Sequence, residues 1–261
     1  MKDNFTIIGV AGALVCVFVA MFMDGSSPAA LIKPAPLILV FGGTFFASVS
    51  GYLKSDLKNI KPTIMRGTTK AFAIDQSALA DDIVRLAGVA KSGGFLQLEA
   101  EAKTVEDPFL AMGVAAVADG QSSEEMRELL EAEIDAMEAR HRLGAKFFGD
   151  MGGYAPTLGI IGTVMGLVHV LGNLSSPGSL GPAIASAFIA TLWGVLSANL
   201  IWLPISNKLK RTGELESNAR HMVLEGMLAI AAGGSSRLVR SRVEAFLGPT
   251  ERTPRAKSPA G

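Results

Sequence analysis

The chain is poor in the residues that do covalent and metal chemistry. Its 261 residues include one cysteine and three histidines. A single cysteine forms no intrachain disulfide, and Cys16 lies inside an apolar run. No paired-cysteine motif, His/Cys cluster, phosphate-cradling glycine loop or Gly-x-Ser-x-Gly elbow occurs. A resident metal, a cofactor and an enzyme are therefore not expected. Charge is scarce and balanced, with 24 basic and 24 acidic residues, 18% of the chain. That balance gives no electrostatic footprint for nucleic acid.

What the chain has instead is apolar length. Hydrophobic residues make up 49% of it, and they come in blocks. Residues 5–23 and 37–53 form two of them, and 151–172 and 180–205 two more. A helix needs about 20 apolar residues to cross about 30 Å of hydrocarbon. The pattern predicts an all-α integral membrane protein with four transmembrane helices and a helical cytoplasmic domain. The first block has only Lys2 before it and no small-residue cleavage site after it, so it reads as a span and not as a removed signal.

Basic residues place the ends. Lys54, Lys58, Lys61, Arg66 and Lys70 follow the second block, and Lys208, Lys210 and Arg211 follow the fourth. The 24–36 loop has one Lys and the 173–181 loop none. Positive flanks stay in the cytoplasm, so both termini and segment 54–150 are expected on the cytoplasmic side of the membrane. The segments are then a hairpin at 1–53, a cytoplasmic domain at 54–150, a second hairpin at 151–205, C-terminal helices at 206–247 and a disordered tail at 248–261.

Within 54–150 the periodicity predicts helices. Leu79, Ile83, Leu86 and Ala90 recur at helical spacing until GlyGly at 93–94. Asp107-Pro108 opens a second helix that closes at Asp119-Gly120. Ser122 to Glu125 resembles a capping box, opening a helix with Met126, Leu129, Leu130, Ile134 and Met137 on one face. No strong breaker separates it from the third block, which predicts one long rod. After the fourth block, Leu215, Ala219, Met222, Val223 and Ile230 continue a helical face until GlyGly at 233–234.

The second hairpin carries the site candidates. Small residues repeat along each helix: Ala155, Gly159, Gly162, Thr163 and Gly166, then Ala183, Ala187, Thr191, Gly194 and Ala198. Such faces let helices approach closely in lipid, so the hairpin is expected to line a pathway or to pack against identical copies. Thr163 and Thr191 lie on these faces. Their hydroxyls can bond the carbonyl a turn back, or offer oxygen to a dehydrating cation. Pro156 and Pro204 can merely kink their helices or act as hinges. His169 is the one ionisable residue in an apolar centre; it either bonds locally or relays protons. No carboxylate lies mid-run, so an ion-conducting role needs a partner to supply one. Lys91 and Glu99 flank a GlyGlyPheLeuGlnLeu turn, and are either solvated charges or a docking pair.

Three stretches resemble the MotA/PomA family, the A-type stator subunit of the bacterial flagellar motor. They are GlyGlyThr at 42–44, AKSGGFLQLEAEAKTVEDPFLAMGVAAVADG at 90–120 and APTLGIIGTVMGLVHVLGNLSSPGSLGPAIASAFIATLWGVL at 155–196. The resemblance covers roughly 1–235. It implies a homopentamer around a dimer of a B-type (MotB/PomB-like) subunit. That partner brings the ion-carrying aspartate and a peptidoglycan-binding domain. Inward proton or sodium flow would then drive torque on the rotor switch protein. By the same resemblance Pro156 and Pro204 match the family prolines, and Lys91 and Glu99 the rotor-facing charges. Lys91 stands where Arg is usual, and Ser92 where sodium-type members often have a second basic residue. Thr191 matches a threonine of both ion types. Thr163 resembles sodium-type members and a histidine near 169 some proton-type ones; a transient sodium ion near Thr163 and Thr191 is the reading the threonine favours. Two rivals are an ExbB/TolQ-like energising subunit, which usually has three spans, and a solute permease, which usually has more spans and mid-membrane polar groups.

Overall fold

A computed structural model describes residues 5–25, 27–58, 74–175 and 177–252. Lys61, Arg66, Lys70 and the end of the tail lie outside the described residues. Every regular element among the described residues is helical. The elements are α1 (Phe5–Met23), α2 (Pro34–Val49), α3 (Gln76–Ala102), α4 (Pro108–Ala118), α5 (Ser123–Gly172), α6 (Pro177–Ala231) and α7 (Ser236–Val243). Short 3-10 turns lie at Pro28–Leu31 and Glu244–Phe246. The chain divides into two compact units, Met1–Ala71 with Arg140–Thr212, and Phe72–Ala139 with Gly213–Gly261.

The first unit holds α1, α2 and the parts of α5 and α6 that are richest in apolar residues. α5 and α6 are each long and apolar enough to cross a membrane; α1 and α2 are apolar and shorter. Much of this apolar surface faces outward. Ile160, Ile161, Val164, Met165, Val168 and Leu171 of α5 are exposed, as are Phe5, Ile7, Ile8 and Val15 of α1. In water each such side chain would forgo about 1.5–3 kcal/mol of burial, so the surface is built for an apolar surrounding.

Rings lock the unit together. Phe41 of α2 meets Trp193 and Trp202 edge-on at 5.7 and 6.2 Å between centroids. Phe147 meets Phe45, Tyr52 and Phe148 edge-on, and Phe148 stacks on Trp202. Such pairs contribute about 0.5–1.5 kcal/mol each beyond area burial. The turn before α2 is tied to α6, because the Trp193 indole donates to the Leu31 carbonyl at 2.9 Å and Lys33 to that of Pro182 at 3.2 Å.

The second unit is an ordinary close-packed core. Leu79, Ile83 and Leu86 of α3 are buried with Met126, Leu130 and Ile134 of α5 and Met222, Val223 and Met227 of α6. Leu129 and Leu215, expected on these faces, are exposed instead. One residue's offset, 100° of helix rotation, moves each to its helix's outer side. α3 turns at Gly94, whose φ of 66° and ψ of −169° are accessible essentially to glycine alone. A straight helix would part Arg85 and Glu101 by about 24 Å; their side chains pair at 2.5 Å, so the chain doubles back there. Asp107 caps α4 by accepting from the Leu110 N–H at 2.9 Å, and Pro108 occupies the first helical position, where its missing donor costs nothing. α6 ends in a Schellman turn. Gly233 takes φ 73°, and the Gly234 N–H donates to the Ala229 carbonyl.

Candidate functional site

The small faces of α5 and α6 meet each other within one chain. A Cβ added to Gly159 would lie 2.9 Å from the Ala190 carbonyl oxygen and 3.0 Å from Thr191 Cα. One added to Gly194 would lie 2.7 Å from the Ala155 oxygen, and one on Gly166 2.5 Å from Ala187 Cβ. Contacts that close leave no room for any side chain. Most of the small face is therefore spent inside the hairpin, which the repeat pattern alone did not distinguish from packing between copies.

That approach brings Thr163 and Thr191 together. Their hydroxyls hydrogen-bond each other directly. Thr163 Oγ1 also reaches the Gly159 carbonyl at 3.2 Å and that of Ala187 at 3.1 Å, and Thr191 Oγ1 reaches the Gly159 carbonyl at 3.2 Å. The bond back to a carbonyl one turn earlier is thus present for Thr163, together with bonds across the helix pair. Four oxygens converge, and the two hydroxyls have only two protons to share among them. All four are neutral. Hard cations take oxygen ligands, but a cation desolvated among neutral groups keeps an uncompensated charge. The cluster can assist a cation whose counter-charge comes from elsewhere.

The other predicted residues lie apart. His169, on an exposed part of the last turns of α5, offers its backbone carbonyl to Asn173 at 2.8 Å. Six residues from Thr163, it points about 120° away around the helix. Pro156 packs against Gly194 on the hairpin seam. Pro204 follows a widened turn at Ala198–Trp202, where the Leu203 N–H donates to the Ala198 carbonyl five residues back. A wide turn just before a proline absorbs the missing donor and lets α6 continue. Pro204 also lines an open apolar cleft with Phe5, Gly9, Val10, Ala13, Asn199 and Leu200.

Lys91 and Glu99 are both exposed, on the two limbs of the α3 turn. Ser92, between them, donates to the Gly88 carbonyl at 3.1 Å. The turn is braced by the Arg85–Glu101 pair, and the hydrogen bond that Arg85 donates to Glu101 holds the guanidinium above its usual pKa.

Three arrangements lay outside the sequence reading. The Gly159 and Ala187 carbonyls complete the hydroxyl cluster; only the four-residue spacing of Gly159 and Thr163 hinted at one of them. Arg220 donates to both oxygens of Asp107 at 2.7 Å, with its guanidinium 5.2 Å from the Phe109 ring centroid. Asp150 accepts from Tyr52 and Lys146, each at 2.7 Å. The Arg220–Asp107 and Tyr52–Asp150 pairs join residues too far apart in sequence for any local pattern to announce, whereas Lys146 and Asp150 stand one helical turn apart.

Comparison with known proteins places these features in a lineage. Residues 101–222 match the model of the MotA/TolQ/ExbB proton channel family. The chain is similar to motility protein A of Bacillus subtilis, 34% identical over 254 residues that cover 96% of this chain and 93% of that protein. It is similar to chemotaxis protein PomA of Vibrio alginolyticus, 30% identical over 251 residues, 96% of this chain and 97% of that one. The fold matches a chain in the structure of the flagellar MotAB stator complex from Bacillus subtilis with a TM-score of 0.85 and 35% identity, over 95% of this chain and 98% of that one.

Proposed function

Because the chain belongs to the MotA/PomA branch of the MotA/TolQ/ExbB proton channel family, and is a flagellar stator subunit of an ion-driven complex, we propose how its own residues take part. The observation that carries the proposal is the neutral oxygen cluster of Thr163, Thr191, Gly159 and Ala187, in the apolar runs 151–172 and 180–205, which hold no carboxylate of their own. A proton or sodium ion passing here keeps its counter-charge on a B-type partner, whose membrane helix brings an aspartate to this chain. The hydroxyls replace part of the ion's hydration shell. Five copies surround the partner in the inner membrane, each with four spans and both termini in the cytoplasm. No cofactor, resident metal or catalytic step is needed, since the work comes from ion flow.

Pro156 and Pro204 interrupt the backbone ladders of α5 and α6, so bending there costs fewer hydrogen bonds than elsewhere. They are the hinges of this mechanism. Lys91 and Glu99 deliver the movement to the rotor switch protein through complementary charge. Thr163 beside Thr191 favours sodium, and His169 plays no part in the ion's path.

Ion flux into liposomes tests the reading. This chain alone should pass neither ion, and co-reconstitution with its B-type partner should open a flux. Flux from this chain alone would overturn the division of labour. In cells, swimming speed measured against sodium, with a protonophore control, separates the ions.

A further inference from the structure

The turn that displays Lys91 and Glu99 is fastened at its base. Leu98, next to Glu99, is 0% exposed, and Ala102 and Val105 pack against the same core. Arg85 holds Glu101. The Thr104 N–H and hydroxyl both donate to the Glu101 carbonyl, at 2.9 and 2.8 Å. This tight connection leads directly to Asp107.

Asp107 joins two elements. It caps α4 by accepting from the Leu110 N–H, and both its oxygens accept from one terminal nitrogen of Arg220 on α6, each at 2.7 Å. The other terminal nitrogen of Arg220 lies 3.6 Å from Glu216, one turn earlier on α6. The guanidinium lies over the Phe109 ring, 5.2 Å from its centroid. Arg220 is 8% exposed and Glu216 5%. In such a network the loss of water offsets much of the attraction, so it adds little net stability. Parting it is another matter, because each group would then stand as an uncompensated charge in the interior. The network therefore constrains geometry more than it stabilises. α6 and the segment that enters α4 are held to move together, and the turn follows that segment. A lysine would not serve equally. Its ammonium is a single point charge, without a plane to lay on Phe109 while facing two carboxylates.

We propose that Arg220 is the positioning residue of this turn. It clamps the entry of α4 onto α6, the helix that also carries Thr191 and Pro204, and so fixes how Lys91 and Glu99 are presented. The proposal rests on the reading that those two charges act on the rotor.

The test neutralises the whole network in the complete complex, with Asp107→Asn, Glu216→Gln and Arg220→Met together. Asparagine caps a helix as well as aspartate does, and none of the three positions keeps a charge. Abundance in the membrane and the thermal midpoint should hold. Amide exchange over residues 95–105 should quicken several-fold, since exchange reports local opening, and swimming should slow several-fold. Arg220→Lys should show both changes to a lesser degree, and it decides the matter should the triple variant fail to assemble. Unchanged exchange in an assembled variant would overturn the clamp, as would quickened exchange with normal swimming. Reversing the charges of Lys91 and Glu99 tests the rotor reading separately. If that reversal slows swimming and loss of the network does not, the clamp alone is wrong. If neither slows it, the rotor reading falls and takes the clamp's role with it.

Discussion

Hydroxyl placement at Thr163 depends on what its neighbours lack. Gly159 has no side chain, so α6 comes close enough for Thr191 to reach across. Thr163→Ala removes one of the two hydroxyls and both cross-helix bonds that it makes. It should alter the dependence of swimming speed on sodium, and Thr163→Ser should restore it; an unchanged sodium response in the alanine variant would sink the sodium assignment. Gly159→Ala acts on the same pair through shape. Its new Cβ meets backbone at 2.9 Å, which cannot yield as a flexible side chain can. Overpacking of this kind costs about 1–3 kcal/mol. The thermal midpoint of the purified complex should fall for Gly159→Ala and stay put for Gly12→Ala, whose Cβ would meet nothing within 4 Å.

At the scale of the helix, α5 begins with a reciprocal cap. The Glu125 carboxylate accepts from the backbone N–H of Ser122 at 2.9 Å and from its hydroxyl at 2.7 Å, while that hydroxyl accepts from the Glu125 N–H at 3.2 Å. The side-chain bond from Ser122 and then the backbone bond lower the Glu125 pKa. A carboxylate whose folded pKa is depressed stabilises the fold above its unfolded pKa and loses that contribution as pH falls through the folded one. Amide exchange at the start of α5 should thus quicken between the ordinary glutamate value of 4.5 and the lowered one. In Glu125→Gln, which keeps an acceptor without the charge, that acid-dependent step should be missing. An identical pH profile in both proteins would refute the cap's role. The capping box, the Asp107 cap and the unbroken 50-residue run of α5 were all legible in sequence, because each is a local rule.

For the whole molecule, the proposed role of Lys91 and Glu99 in docking can be tested apart from stability. Both are exposed, and the pair that braces their turn, Arg85 with Glu101, leaves them untouched. Reversing both charges should leave the protein's abundance in the membrane unchanged while slowing swimming several-fold. Complementary reversal on the rotor protein should recover part of the loss, and unaffected motility would remove the two residues from the torque step. The same scale divides the chain into two chemical regimes. The first unit turns aliphatic side chains outward, and the second buries them around Ile83, Leu130 and Met227.

By itself the sequence determined helix type, the caps, the apolar lengths and the absence of a carboxylate inside the apolar runs, since each follows from composition or from a repeat of three to four residues. It named Thr163 and Thr191 because each helix of the hairpin sets one hydroxyl on its small face. Only the tertiary structure decided that those faces close on each other, that two backbone carbonyls join the hydroxyls, and that Arg220 pairs with Asp107. It also sorted Leu129 and Leu215 outward. The physical reason is common to all four. A helix repeat states which residues share a side, whereas the distance and rotation between two helices depend on every side chain at their contact, and those come from segments far apart in the chain.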